Sequence, residues 1–199
     1  MILRKFRLLL VSCLIGLWTF SSQAAEWTMA SGYPKSNFHT QNIIKFIDDV
    51  KSGSSVKINL NPNDTLIKLD AIKTSLQRGQ IPIGEIRFGI YGNEDPMYIL
   101  AGLPFIAPDY ASAWLLKEVK HAYLQEKFNK KGLRILYTSP WPGQGFYTKF
   151  PVNKVSDFNG KKLRIYSTAT QQMGSMLGFN ATILPFAEIP QAFSTGLIE

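Results

Sequence analysis

The sequence predicts an α/β chain built as two successive units. Three observations carry this prediction: a β-α-β-α-β order of apolar patterning over residues 26–92, a stretch dense in Pro, Gly and aromatics at 140–160, and a restart of the β-α-β-α order beyond it. "EWTMAS" (26–31) is the first strand candidate, ending in the turn-like "GYPKS". Ser36 or Asn37 caps a helix through "FHTQNIIKFIDDVKSG", where Phe38, Ile43, Phe46, Ile47 and Val50 recur near helical spacing. "VKINLNPN" (56–63) alternates apolar and polar as a strand should. Asp64 is placed to cap "TLIKLDAIKTSLQRG", with Leu66, Leu69, Ile72 and Leu76 on one face and Gly79 as the stop. "IPIGEIRFGIYG" follows as an extended, partly buried strand.

Residues 111–131 form the longest helix candidate, ended by Gly132, and "LRILYTS" (133–139) reads as another strand. The segment "PWPGQGFYTKFPVNKVSDFNG" then looks like a crossover between units. After it come the strand "KKLRIYS", a helix over 168–178 ended by Gly178, the strand "ATILP" and a helix starting near Glu188. On "NGKKLRIYS", Leu163 and Ile165 point inward and Lys162, Arg164 and Tyr166 share the other face. Met173, Met176 and Phe186 read as core. The expected organisation is a leader at 1–24, a first α/β lobe at 25–139, and a crossover with a partial second lobe at 140–199.

The leader reading rests on Arg4, Lys5 and Arg7, an apolar run from Leu8 to about Phe20, and the small-residue exit Ser22-Gln23-Ala24. Cleavage after Ala24 is the expected outcome; an uncleaved anchor is the alternative. Cys13, the single cysteine, lies in a segment that superficially resembles a lipoprotein box, but too few apolar residues precede it. Without the leader the chain has no cysteine, which suits a bacterial periplasm where the core alone must hold the fold. Setting aside the three basic residues takes Lys+Arg from 22 to 19 against 14 acids, a balance of +5. That mild charge steers anionic ligands. No basic stripe interleaved with aromatics occurs, so nucleic acid is not an expected partner.

Catalytic chemistry has little footing. His39 and His121 are the only histidines, each on a helix candidate, and read as structural or solvated rather than as metal ligands. G-x-S-x-G, H-E-x-x-H and P-loop motifs are absent. Gly143-Gln144-Gly145 lacks the helix a phosphate loop needs, and Asp48-Asp49 is a solvated flank. Binding is therefore favoured over turnover, with no metal or cofactor expected, and pockets of that kind often form between domains. Trp141, Phe146 and Tyr147 in the crossover are candidates to cover an organic ligand, with core packing as the equal alternative. Glu85, Arg87 and Tyr91 are candidates because ligands of open α/β sheets sit beyond the carboxyl ends of strands.

Several stretches together resemble the periplasmic solute-binding proteins of TRAP transporters, of the DctP type. "NFHTQNIIKFIDDV", "TSLQRGQIPIGEIRF", "LAGLPFI" and "GLRILY" match its segments in order; "VSDFNGKKLRIYS" is similar to its D-x-x-G-x-K-x-R stretch and "LPFAEIPQAFSTGLIE" to its P-x-x-E-x-x-x-A-x-x-T-G-x-x-D run. The resemblance covers residues 26–199. It implies a two-lobed, hinged periplasmic binding protein with mixed sheets and an incomplete second lobe, truncated at the C-terminus. It also implies capture of a small organic acid and delivery to TRAP membrane permease subunits, by a monomer. Arg164 stands where the family's carboxylate-binding arginine is. The guanidinium fork suits that role, because it is always charged and matches a carboxylate bidentately. A second family arginine is replaced by Gln144 or Gly145, which favours a ligand with one carboxylate, and Glu199 stands where Asp is usual. The rival expectations are a periplasmic enzyme on a similar scaffold and an inactive truncated remnant.

Overall fold

The computed structural model describes residues 25–199; the expected leader lies outside the described residues. Two parallel sheets organise the chain. The first has the order β2-β1-β3, from β1 (Glu26–Ala30), β2 (Lys57–Asn61) and the two-residue β3 (Ile83–Gly84). β1 pairs with β2 from Glu26↔Lys57 to Ala30↔Asn61, and with β3 at Met29↔Ile83 and Ala30↔Gly84. The second sheet pairs β4 (Lys162–Ile165) with β5 (Asn180–Ile183).

Alternation along β1 divides the first unit into two packed faces. Met29 points to α1 (Phe38–Gly53), forming a cluster with Ile43, Ile58 and Ile83. Ala30 points to the other face, where Ile72 and Ile81 bury against it. Ile72 opens α2 (Ile72–Gln77) and sits so close to β3 that a Cβ on Gly84 would lie 2.6 Å from its Cγ2. Glycine at 84 is what lets helix and strand approach. Asn37 caps α1, its side chain accepting from the His39 N–H.

Three expected elements differ. The helix expected from Thr65 begins only at Ile72, because Asn63 and Asp64 take left-handed φ of 58° and the Asp64 carboxylate accepts the Leu69 N–H at 2.9 Å. Asp64 thus closes a turn instead of capping a helix. The strand expected over 81–92 stops after Gly84. Glu85 N–H donates the last ladder bond to Ala30, and Phe88–Tyr91 coil into a 3-10 turn. "LRILYTS" is no strand: it has no paired neighbour among the described residues. Its alternation is still real, since Leu133 and Ile135 pack on the cluster of Tyr91, Tyr98, Leu124 and Phe128 while Leu136 is exposed.

α3 (Tyr110–Asn129) is capped by Asp109, whose carboxylate accepts the Ser112 N–H. Its outer face carries exposed Trp114, Leu115 and Val119. In the second unit, α4 (Thr168–Met176) is capped reciprocally by Ser167 and Thr170, and α5 (Ile189–Ser194) closes a small cluster of Leu184, Ala192 and Ile198. Gly174 faces Leu163 and Ala181, which brings α4 down onto β4 and β5. Met176 is exposed rather than core, because it lies on the face of α4 turned away from that pair of strands. Among the described residues no helix is long and apolar enough to cross a membrane.

Candidate functional site

A cleft of about 90 Å³ lies between the two sheets, lined by Tyr33, Arg87, Trp141, Gln144, Arg164, Tyr166 and Phe186. Its composition follows from the topology. Tyr33 comes shortly after the carboxyl end of β1, Arg87 after β3, Tyr166 directly after β4 and Phe186 after β5. Parallel strands from both sheets therefore deliver their first loop residues to one place. Trp141 and Gln144 come from the crossover, and Arg164 reaches in from β4 itself.

Tyr166 is the centre of the charged wall. The Arg87 guanidinium lies 3.6 Å from the centroid of its ring and that of Arg164 at 4.9 Å. The Tyr166 hydroxyl donates to Gln144 Oε1 at 3.3 Å. Arg164 Nε donates to the Leu184 carbonyl at 3.0 Å, which fixes the stem and leaves the fork's other donors without an acceptor among the described residues. Neither arginine enters an ion pair among the described residues. Burial first, and the neighbouring Arg87 charge second, pull the Arg164 pKa down to about 10. It stays charged at neutral pH, with burial and the Arg87 charge both working against that charge.

The opposite wall is aromatic. Tyr33 meets Trp141 edge-on at 5.2 Å and Phe186 at 5.6 Å, and His39 meets Trp141 at 4.4 Å. Burial raises the Tyr33 pKa to about 12 and lowers that of His39 to about 4, so both are neutral over the ordinary pH range. Below this wall Glu85 accepts from the Ser31 hydroxyl at 2.5 Å. Burial raises its carboxyl above the usual range, against the lowering effect of that bond.

Of the residues expected from sequence, Arg164, Arg87, Trp141 and Gln144 come together in the cleft. Glu85 lies beneath it, held by Ser31. Three lie elsewhere. Tyr91 is buried in the first unit, its hydroxyl donating to the carbonyls of Leu69 and Asp70, because the 3-10 turn rotates it inward. Phe146 stacks on Phe179 and meets Phe158 at a tilt, and Tyr147 is 81% exposed. Tyr33, Tyr166 and Phe186 line the cleft without being among the expected site residues, and Phe186 is not the core residue its pattern suggests. The strand-end rule that singles out Arg87 applies equally to the ends of β1, β4 and β5, where these three residues lie.

A family model described as bacterial extracellular solute-binding protein, family 7 (DctP), matches residues 29–199. Among solved structures, the chain is similar to DctP7, a Bordetella pertussis extracytoplasmic solute receptor binding pyroglutamic acid: 37% identity, 88% of this chain and 59% of that one, TM-score 0.85. A marine metagenome TRAP solute binding protein specific for pyroglutamate is 36% identical over 89% of this chain and 59% of its own, TM-score 0.84. One from Sulfitobacter sp., with bound β-D-galacturonate, shares the fold at 22% identity, 87% and 60% coverage and TM-score 0.73. The chain thus spans about three fifths of the length of these structures. No curated protein matches. With residues 29–199 matched and two parallel sheets flanking one cleft, the chain belongs to the DctP family of TRAP solute-binding proteins.

Proposed function

We propose that this protein is a periplasmic receptor, not an enzyme, that captures a small organic monocarboxylate between its lobes and delivers it to TRAP permease subunits. In this reading the lobes divide at 139/140 and the receptor acts as a monomer. One observation carries the proposal: two arginines converge on a single tyrosine ring inside a cleft, and neither pairs with a carboxylate among the described residues. An unpaired guanidinium in a partly dry site is costly until an anion arrives, and a carboxylate satisfies its planar fork in two bonds. Both cations abut one ring, so the positive charge is concentrated at one spot, as a single carboxylate requires. Gln144 and the aromatic wall supply uncharged contacts for the remainder of the ligand. The relatives at 36–37% identity are described as binding pyroglutamate, which has one carboxylate and an uncharged ring.

Closure of the lobes over the acid would be a population shift driven by ligand contacts made in the closed state. The test is thermal unfolding of the purified protein with and without pyroglutamate and with a matched dicarboxylate. Pyroglutamate is expected to raise the midpoint and the dicarboxylate to do so less. Arg164→Ala should abolish the rise. A variant that keeps the full ligand-induced shift overturns the role of Arg164.

A further inference from the structure

The two arginines of the cleft meet the same ring from different units. Arg87 follows β3 of the first sheet and Tyr166 follows β4 of the second, so the guanidinium lying 3.6 Å from the Tyr166 ring centroid reaches across the cleft. Beside this stack, Tyr33 of the first unit meets Phe186 of the second edge-on at 5.6 Å. Arg164 stands on β4 itself, and its contact with the ring at 4.9 Å stays within the second unit. The Leu184 carbonyl that accepts from its Nε also belongs to that unit. One ring thus carries an attraction between the units, while the two cations beside it repel each other across the same gap.

We infer that the Arg87–Tyr166 stack is a clasp that closes the cleft and that Arg164 is its restraint, repelling Arg87 until the ligand's carboxylate neutralises the pair. This rests on the carboxylate reading above and adds what sets the balance between open and closed lobes. A guanidinium over a tyrosine face is drawn by the ring quadrupole, and the contact forms between protein groups alone. Arg164 gains nothing from closure through that ring, because both move as one unit. What it contributes to closure is repulsion toward Arg87, which grows as the units approach. A carboxylate seated on Arg164 cancels that repulsion and leaves the clasp intact, so the charge of the ligand, and not only its shape, shifts the population toward the closed lobes. Neither guanidinium is fully buried, so dissolved salt screens the pair.

The test is the distance distribution between spin labels at Lys45→Cys on α1 and Met176→Cys on α4, exposed positions in the two units, in a Cys13→Ser background that has no other cysteine. Without ligand, the closed-to-open ratio of the otherwise unsubstituted protein should rise roughly fivefold from low to high ionic strength, as screening removes the repulsion. Arg164→Gln should show the higher ratio already at low ionic strength and ignore salt. Tyr166→Leu should lower the ratio roughly fivefold at either ionic strength, and Tyr166→Phe, which keeps the ring, should leave it unchanged. Pyroglutamate should close the unsubstituted cleft under both conditions. A ligand-free ratio that ignores salt before any cleft substitution overturns the restraint. A ratio unmoved by Tyr166→Leu overturns the clasp. Pyroglutamate that leaves the ratio where it stands overturns the carboxylate reading, while the ligand-free series still decides the clasp and its restraint. The salt series leaves the cleft unsubstituted, so it decides even where a cleft variant disturbs folding.

Discussion

One buried and one half-buried cation, one in each unit, show what separates a structural charge from a functional one. Lys73 in α2 is only 2% exposed, yet it is completed internally: its ammonium pairs with Glu94 and lies 4.3 Å from the centroid of the Tyr91 ring. Lys131 holds the other Glu94 oxygen at 2.6 Å. Burial works to raise the Glu94 carboxyl, but hydrogen bonds from Lys131 and Lys73 outweigh it and keep it below the usual range. Arg164 is less buried and has an aromatic ring beside it as well, but among the described residues it has no anion, and it has a second cation in Arg87. The more deeply buried of the two is the structural one, so depth of burial does not mark the functional charge. The presence or absence of a counter-charge does.

The sharpest way to break this contrast is to remove the counter-charge where it exists. Glu94→Gln keeps the shape and leaves Lys73 buried without an anion, so the free protein should lose about 2 kcal/mol. That is less than for a fully enclosed pair, because the Glu94 side chain is 32% exposed. Arg164→Ala should change the stability of the free protein by no more than about 1 kcal/mol. Urea midpoints at constant m-value measure both. Equal destabilisation by the two substitutions would make Arg164 a structural residue and end the contrast.

A smaller effect tests the charge state of His39, which packs on Trp141 behind the cleft. Burial, then the Arg87 charge, lowers His39 from 6.5 to about 4. Between those values the unfolded chain binds a proton that the folded chain refuses, so stability is complete above pH 6.5 and falls as pH drops toward 4. From pH 6.5 to 5 the loss assigned to His39 is about 1.5 kcal/mol. His39→Gln should flatten the stability profile in that window by that amount, and an unchanged slope would mean the ring takes up its proton in place.

The same contrast marks where sequence reasoning reached its limit. Alternation on "NGKKLRIYS" put Arg164 opposite the inward Leu163 and Ile165, and the strand-end rule put Arg87 near a cleft, because both depend only on local geometry. The counter-charge of Lys73 is 21 residues away at Glu94 and joins it only through the fold. Phe146 and Tyr147 are neighbours of Gln144, yet only Gln144 reaches the cleft, since a crossover without ladder bonds has no period to orient its side chains. "LRILYTS" shows the same division. Its pattern correctly turns Leu133 and Ile135 inward, but a strand also needs a neighbour, and periodicity says nothing about partners.

The smallest test concerns the caps that hold the two walls of the cleft. Asn37 begins α1 next to His39, and Ser167 begins α4 next to Tyr166. Replacing either by Ala should lower stability by about 1 kcal/mol, because each side chain satisfies an otherwise free helix N–H. Their effects on pyroglutamate binding should differ. The Tyr166 N–H donates to Thr170 Oγ1, and Thr170 in turn bonds the Ser167 hydroxyl, so this cap also sets the ring on which both guanidiniums rest. Asn37→Ala loosens only the neutral wall. Titration should therefore show the larger loss of affinity for Ser167→Ala at equal loss of stability. The reverse order would mean that the aromatic wall, and not the charged one, dominates binding.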